Sequence, residues 1–240
     1  MTPEQAREKI IFALDVKGLD DVNRYAAMLS GKVGMFKIGK ELFTACGPAS
    51  VEAVLDRGGK VFLDLKYHDI PNTVAQAMVA ASRLGVELVN LHALGGLEMM
   101  RTAVNEVHRQ TGVQRPKLLA VTILTSSTAE TLQQVGIGHA VDKMVVRLAR
   151  LAQEAGMDGV VASPLEIELI RETCGPDFLV VTPGVRPVFA EMDDQKRVMT
   201  PAEAVRAGAD YLVIGRPIAK AADPVKAAEM IVEEIVAGCP

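Results

Sequence analysis

The sequence predicts a (β/α)₈ TIM barrel, a closed ring of eight parallel strands each followed by a helix, folded as a single domain over residues 1–240. Three observations predict it. Short apolar runs alternate with amphipathic stretches along all 240 residues, the pattern of repeated β-α units. Most of these runs are continuously apolar, as strands covered on both faces require. No G-x-G-x-x-G follows the first run, which argues against a doubly wound nucleotide-binding sheet. No linker or low-complexity segment divides the chain.

Taken in order, Thr2-Pro3 followed by Glu4 and Gln5 starts a short helix. Strands are then expected at 10–16, 35–39, 60–66, 88–93, 117–124, 159–163, 178–183 and 211–215, which makes eight. Between them, 20–30 places Val22, Tyr25, Ala26 and Leu29 on one helical face. The stretch 49–56 stops at Gly58-Gly59, 73–84 at Gly85, 97–111 at Gly112 and 141–155 at Gly156. Ser163-Pro164-Leu165-Glu166 and Thr200-Pro201-Ala202-Glu203 are capping boxes with proline at the first helical position. A last helix starts at Asp223-Pro224 and runs to about 237.

Composition narrows the function. Apolar residues are 49% of the chain and charged residues 23%, with a formal net charge of −4, so a large core is available and no basic face is. With six Phe, three Tyr and no Trp, neither the charge nor the stacking surface for nucleic acid is present. Cys46, Cys174 and Cys239 are widely spaced and form no C-x-x-C, so neither a zinc site nor a disulfide framework is expected. The N-terminal segment has no apolar signal core and no run reaches membrane-spanning length; a cytoplasmic location is expected.

The chemistry concentrates in 61–73, V-F-L-D-L-K-Y-H-D-I-P-N-T. It begins as a strand and leaves it at Pro71, which has no N–H to donate. Strand side chains alternate faces, so Asp64 and Lys66 point the same way, and Asp69 follows where the strand turns off. Taken alone, such a D-x-K is usually a surface ion pair. The apolar flanks instead direct these charges into an interior, where they must be paired.

In a barrel, active-site residues sit at the carboxyl ends of strands or in the loops that follow. Asp15 ends the first run; in isolation it reads rather as a helix cap in a turn than as a site residue. Lys37, flanked by Phe36 and Ile38, needs a carboxylate, and Asp64 on the next strand is the obvious one. His92 ends the fourth run and reads either as a mouth residue or as a structural histidine. The hydroxyls of Thr125, Ser126, Ser127 and Thr128 follow the fifth; they suit a helix cap, a ligand's amide edge or both. Runs seven and eight lead into Gly184-Val185-Arg186 and Gly215-Arg216. Glycine lets backbone approach a ligand, arginine offers a planar fork to phosphate, and these two loops are the frequent phosphate site of barrels. Gln195, in the polar stretch 193–197, is positioned to close over that phosphate.

D-L-K-Y-H-D-I-P-N-T closely resembles the active-site signature of the orotidine 5′-phosphate decarboxylase family. F-A-L-D at Asp15, F-K-I-G at Lys37, L-T-S at Thr125, T-P-G-V-R at Arg186, D-Q-K-R at Gln195 and I-G-R-P-I at Arg216 follow in family order, over nearly the whole chain. The resemblance implies a barrel that converts orotidine 5′-monophosphate to uridine 5′-monophosphate without cofactor or metal, as a homodimer with sites at the interface. It implies Lys66 as proton donor within an array of Lys37, Asp64, Lys66 and Asp69, with Asp69 reaching the partner's site. It assigns ribose contacts to Asp15, Lys37 and the partner's Thr73, the pyrimidine to Thr125 and Ser126, and the phosphate to Arg186, Gln195, Gly215 and Arg216. No firm role falls to His68, His92 or His139.

The alternative is a Mg²⁺-dependent sugar-phosphate decarboxylase or aldolase of the same barrel group, which shares D-x-K-x-x-D but carries an acidic residue where this chain has Lys37. A second cation there disfavours a divalent ion. A phosphate-binding barrel without catalysis would have no use for Lys66 between two acids.

Overall fold

The computed structural model describes residues 1–110, 112, 114–190 and 199–239. Its centre is a closed barrel of eight parallel strands in sequence order. They are β1 (Ile10–Leu14), β2 (Met35–Gly39), β3 (Val61–Tyr67), β4 (Leu88–His92), β5 (Lys117–Val121), β6 (Gly159–Val161), β7 (Leu179–Pro183) and β8 (Tyr211–Ile214). β8 pairs back onto β1 through Ile10↔Leu212 and Phe12↔Ile214, which closes the ring.

The two-residue period of a strand sorts its side chains between two cores. Ile11, Ala13, Met35, Phe62, Leu88, Leu119, Val121, Val161, Val181 and Val213 pack together inside the barrel. Their neighbours Phe12, Leu14, Phe36, Ile38, Leu63 and Val89 face outward, into a second layer with helix residues such as Val22, Leu29, Met78 and Met100. Removal from water stabilises each fully buried large side chain by about 1.5–3 kcal/mol.

The helices lie where caps and glycines direct them. Thr2 and Gln5 form a capping box on the helix Pro3–Glu8. Thr200 and Glu203 do the same for Pro201–Ala207. Gly156 and Gly208 end their helices with left-handed backbone, at φ of 85° and 110°. The helix after β3 starts two residues before the expected 73: Pro71 is its first residue, a position that tolerates a missing N–H. Two short helices, Lys40–Cys46 and Arg216–Ala219, fall where only loops were read. The box at Ser163 opens a 3₁₀ turn, Pro164–Glu166, ahead of the helix Ile167–Cys174. None of the described helices is long and apolar enough to cross a membrane.

A cavity of about 470 Å³ opens at the amino ends of β1, β7 and β8, lined by Glu8, Lys9, Asp210 and Tyr211 among others. This end serves the frame rather than the chemistry of a barrel. There Arg171 donates to the carbonyls of Gly208 and Phe178 and pairs with Asp210, fastening a helix to the bottoms of two strands.

Gly159, the first residue of β6, has no room for a side chain: a Cβ there would lie 2.2 Å from the Leu179 carbonyl oxygen and 2.5 Å from the Leu179 Cβ. Gly159→Ala must therefore push β6 and β7 apart. We expect a loss of about 2 kcal/mol or more, read as a lowered thermal midpoint. An unchanged midpoint would contradict the tight β6–β7 contact.

Candidate active site

Inward-facing positions carry the site. Moving toward the carboxyl ends of β1 to β4, each apolar inward residue gives way two positions later to a polar one. Ala13 precedes Asp15, Met35 precedes Lys37, Phe62 precedes Asp64 and Leu88 precedes Asn90. On the opposite wall the mouth stays apolar, with Val121, Ile123, Val161, Pro183 and Val213. Charge and hydrocarbon thus face each other across one opening.

Asp64 is the centre of the charged wall, 8% exposed. Its Oδ1 accepts from Lys66 Nζ at 2.6 Å and from Asn90 Nδ2 at 2.7 Å, and its Oδ2 lies 3.6 Å from Lys37 Nζ. Lys37 Nζ also donates to Asp15 Oδ1 at 3.3 Å. Asp15, Lys37, Asp64 and Lys66 therefore alternate in sign, with Asp15 exposed, Lys37 and Asp64 largely buried and Lys66 partly buried. Burial pushes the Asp64 carboxyl up, but Lys37, Lys66 and the hydrogen bonds from Lys66 and Asn90 outweigh it and hold the group below the usual carboxylate range. A buried carboxylate is costly when unpaired, and every described partner of this one is a cation or an N–H donor.

Lys66 reaches this position by leaving regular strand geometry. The β3–β4 register runs Phe62↔Leu88 and Leu63↔Val89, then resumes at Tyr67↔Leu91, so four steps on β3 span two on β4. Within this bulge Lys66 has φ of 52°, the only positive φ at a non-glycine among the described residues. Such backbone costs on the order of 1–3 kcal/mol and persists where its surroundings hold it. Here the Lys66 N–H, taken out of the ladder, donates to Asn90 Oδ1 at 2.8 Å.

Two cavities flank the array. One of about 170 Å³ is lined by Asp15, Lys37, Asp64 and Lys66 with Lys40 and Glu41. Another of about 190 Å³ adjoins it through Lys37, Asp64 and Lys66 and is bounded by Phe62, Ile123, Thr125 and Pro183. A further cavity of about 290 Å³ collects Arg186, Arg216 and Lys220 and is lined also by Phe189. Arg186 is 9% exposed and its backbone N–H donates to the Met199 carbonyl at 2.9 Å. Gly215 sits where a Cβ would come 3.2 Å from the Ala13 Cβ and 3.5 Å from Asp15 Oδ2, so its lack of a side chain keeps the β1 and β8 loops close.

The fold thus unites Asp15, Lys37, Asp64 and Lys66, sets Thr125 beside them, and groups Arg186 with Arg216. It brings Ser126 to an exposed position that lines neither cavity. Gln195 lies outside the described residues. Asp69 forms no ion pair with Lys66 or with any other described residue of its own chain. It is exposed, and its Oδ1 accepts from the Ile70 N–H at 2.7 Å. Thr73 is exposed beside it on the first turn of the helix Pro71–Ser82, and Ile70 between them is 66% exposed. Among the described residues no group of three His, Cys, Asp or Glu side chains is arranged as a metal site.

Two residues at the site had no assigned part in the sequence reading. Asn90 is one; its signal was an amide within the apolar run L-V-N-L-H, at the inward position beside Asp64. His92 is the other. Its ring stacks near His68, centroids 5.6 Å apart, and its Nδ1 is buried with no hydrogen-bond partner among the described residues. Burial, reinforced by His68, Lys40 and Lys66, pushes its pKa down to about 4.

A histidine depressed to about 4 in the fold, against about 6.5 when unfolded, makes the unfolded chain take up the proton first as pH falls. The stability it contributes is whole above about 6.5 and declines toward about 4. His92→Gln should therefore lose less stability than wild type across that window in urea unfolding at a series of pH values. Parallel curves for the two proteins would contradict a half-buried, neutral His92.

Residues 8–231 match the Orotidine 5'-phosphate decarboxylase / HUMPS family. A protein of Pelobacter propionicus called orotidine 5′-phosphate decarboxylase is 73% identical over 240 residues, covering 100% of both chains. One so called from Geobacter sulfurreducens is 67% identical over 239 residues, covering 99% of this chain and 100% of its own. Among solved structures, orotidine 5′-phosphate decarboxylase from Lactobacillus acidophilus superposes with a TM-score of 0.83 at 38% identity, covering 94% of this chain and 98% of that one. The chain, with its charged array across the ends of β1, β2 and β3 and its arginine-lined loops after β7 and β8, belongs to the orotidine 5′-phosphate decarboxylase / HUMPS family.

Proposed function

We propose that this protein is a carboxy-lyase that converts orotidine 5′-monophosphate to uridine 5′-monophosphate and CO₂ in pyrimidine biosynthesis, using its own side chains alone, within one barrel domain. The observation that carries the proposal is the Lys37–Asp64–Lys66 array at the edge of a half-apolar cavity. Full-length likeness to proteins called by this activity supports it.

The chemistry follows from the charges. In the reaction the bond from C6 to the carboxylate breaks and its electron pair stays on C6. No carbonyl is placed to delocalise that pair, so it needs a fixed cation and a proton. Lys66 supplies both: its ammonium faces C6 and transfers a proton there, and the amine left behind regains one from solvent. Asp64 orients Lys66 and also stands against the departing carboxylate. As CO₂ leaves, that repulsion disappears while attraction to Lys66 grows, so the array favours the transition state over the ground state. The pyrimidine takes the cavity that Thr125 lines, with Ser126 at its rim. Asp15 and Lys37 hold ribose hydroxyls. The phosphate takes the cavity of Arg186 and Arg216, beside Gly215, and binding there orders the loops around a distant reacting carbon.

Lys37 separates this reading from the metal-dependent sugar-phosphate enzymes of the same barrel group. A cation 3.6 Å from Asp64 stands where a divalent ion would need acidic ligands. The family description covers more than one activity, and this residue, with the relatives above, favours the decarboxylase.

The protein acts as a homodimer whose sites lie at the interface. Asp69 and Thr73, exposed beside Ile70 and detached from their own array, reach the partner's site. A cytoplasmic location suits three free cysteines.

Lys66→Ala should lower kcat by at least about 10³-fold while uridine 5′-monophosphate still binds in calorimetry; near wild-type turnover would remove Lys66 as the proton donor. Mixing inactive Asp69→Ala and Lys66→Ala chains should restore part of the activity, because one site of each hybrid dimer is intact. No recovery after proven subunit exchange would keep Asp69 within its own subunit.

A further inference from the structure

Asn90 is fully buried, lines none of the three mouth cavities described above and carries no charge, yet both ends of its amide are spent on the array. Nδ2 donates to Asp64 Oδ1 at 2.7 Å, on the oxygen that also takes the Lys66 ammonium at 2.6 Å. Oδ1 accepts from the Lys66 backbone N–H at 2.8 Å. One planar group from β4 thus grips the carboxylate that pairs with Lys66 and the peptide from which Lys66 springs. It does so where the β3–β4 ladder slips and cannot hold residue 66 itself.

We infer that Asn90 is a positioning residue for the decarboxylation, fixing the Lys66 ammonium against the Asp64 carboxylate by holding Lys66 in its left-handed backbone. The inference rests on the decarboxylase reading for its rate effect and on geometry alone for its structural effect. Only an amide fits both demands. A carboxylate keeps the acceptor but loses the donor and adds a like charge beside Asp64; an apolar side chain loses both and leaves the partly buried Lys66 N–H without its acceptor. A residue that merely filled this space would be replaceable by leucine.

The test compares wild type, Asn90→Leu and Asn90→Asp in kcat on orotidine 5′-monophosphate, Kd for uridine 5′-monophosphate, and crystal structure. Both variants should lose about 10²-fold in kcat with Kd changed by less than about threefold, since misplacing a catalytic group by about 1 Å costs this much. In Asn90→Leu, Lys66 should leave the left-handed region; in Asn90→Asp it should stay there while its ammonium moves relative to Asp64. A kcat for Asn90→Leu within about threefold of wild type overturns the inference, as does an equal loss of kcat and product affinity, the mark of general disruption. If Asn90→Leu does not fold, Asn90→Asp, closer in shape, carries the comparison. If wild type itself leaves the substrate untouched, the decarboxylase reading has failed. The crystal structures then decide alone, and an unmoved Lys66–Asp64 pair in both variants overturns the inference.

Discussion

The arrangement depends on the buried carboxylate of Asp64. Moving an ion of this size out of water is costly, and one ion pair rarely repays it. Asp64 has two lysines and an amide around it, at 2.6, 2.7 and 3.6 Å. Each partner would be poorly placed without the carboxylate: Lys37 and Lys66 would repel across the mouth, and the Asn90 amide would lose its acceptor. The set stands together or not at all. Strain in the Lys66 backbone belongs to the same balance, since a left-handed lysine persists only because its N–H and its ammonium are both engaged.

The barrel makes this economical. Parallel strands bring their carboxyl ends to one opening, and the two-residue period lets a strand be apolar below and ionic above without changing its outward face. Phe62 and Asp64 are two residues apart, one in the packed interior and the other in the array. Because β1 to β3 carry the charges, β4 adds the Asn90 amide, and the strands and loops from β5 to β8 line the cavity with valine, isoleucine and proline, the mouth is divided. On the proposed reading, the charged wall faces the reacting carboxylate and ribose and the apolar wall the flat ring. The cavity of Arg186 and Arg216 is lined by none of Asp15, Lys37, Asp64 or Lys66, so an anion proposed to bind there would not compensate the charges of the array.

Much of this was legible in the residues. Eight apolar runs marked eight strands, and their order closed into the ring that β-α alternation demands. D-L-K within an apolar strand marked the ion pair, and Lys37 beside it named its own partner. Period alone could not mark the bulge, because the extra residues of β3 are defined only against the register of β4. Asn90 was hidden for the same reason: its part depends on what lies across the ladder. Asp69 shows the converse. Sequence places it three residues from Lys66, yet within one chain the turn at Ile70 carries it outward. Pro71 reads as the end of a strand and serves as the start of a helix, two roles that its missing N–H allows equally.

The central claim is that protein charges alone drive the loss of CO₂. Its most direct test is the consumption of orotidine 5′-monophosphate by the wild-type protein, followed by ultraviolet absorbance in buffer with excess EDTA. Fast turnover, unchanged when Mg²⁺ is added back, is the predicted result. No turnover until Mg²⁺ and a sugar phosphate are supplied would contradict it and make Lys37 a bystander rather than a member of the array.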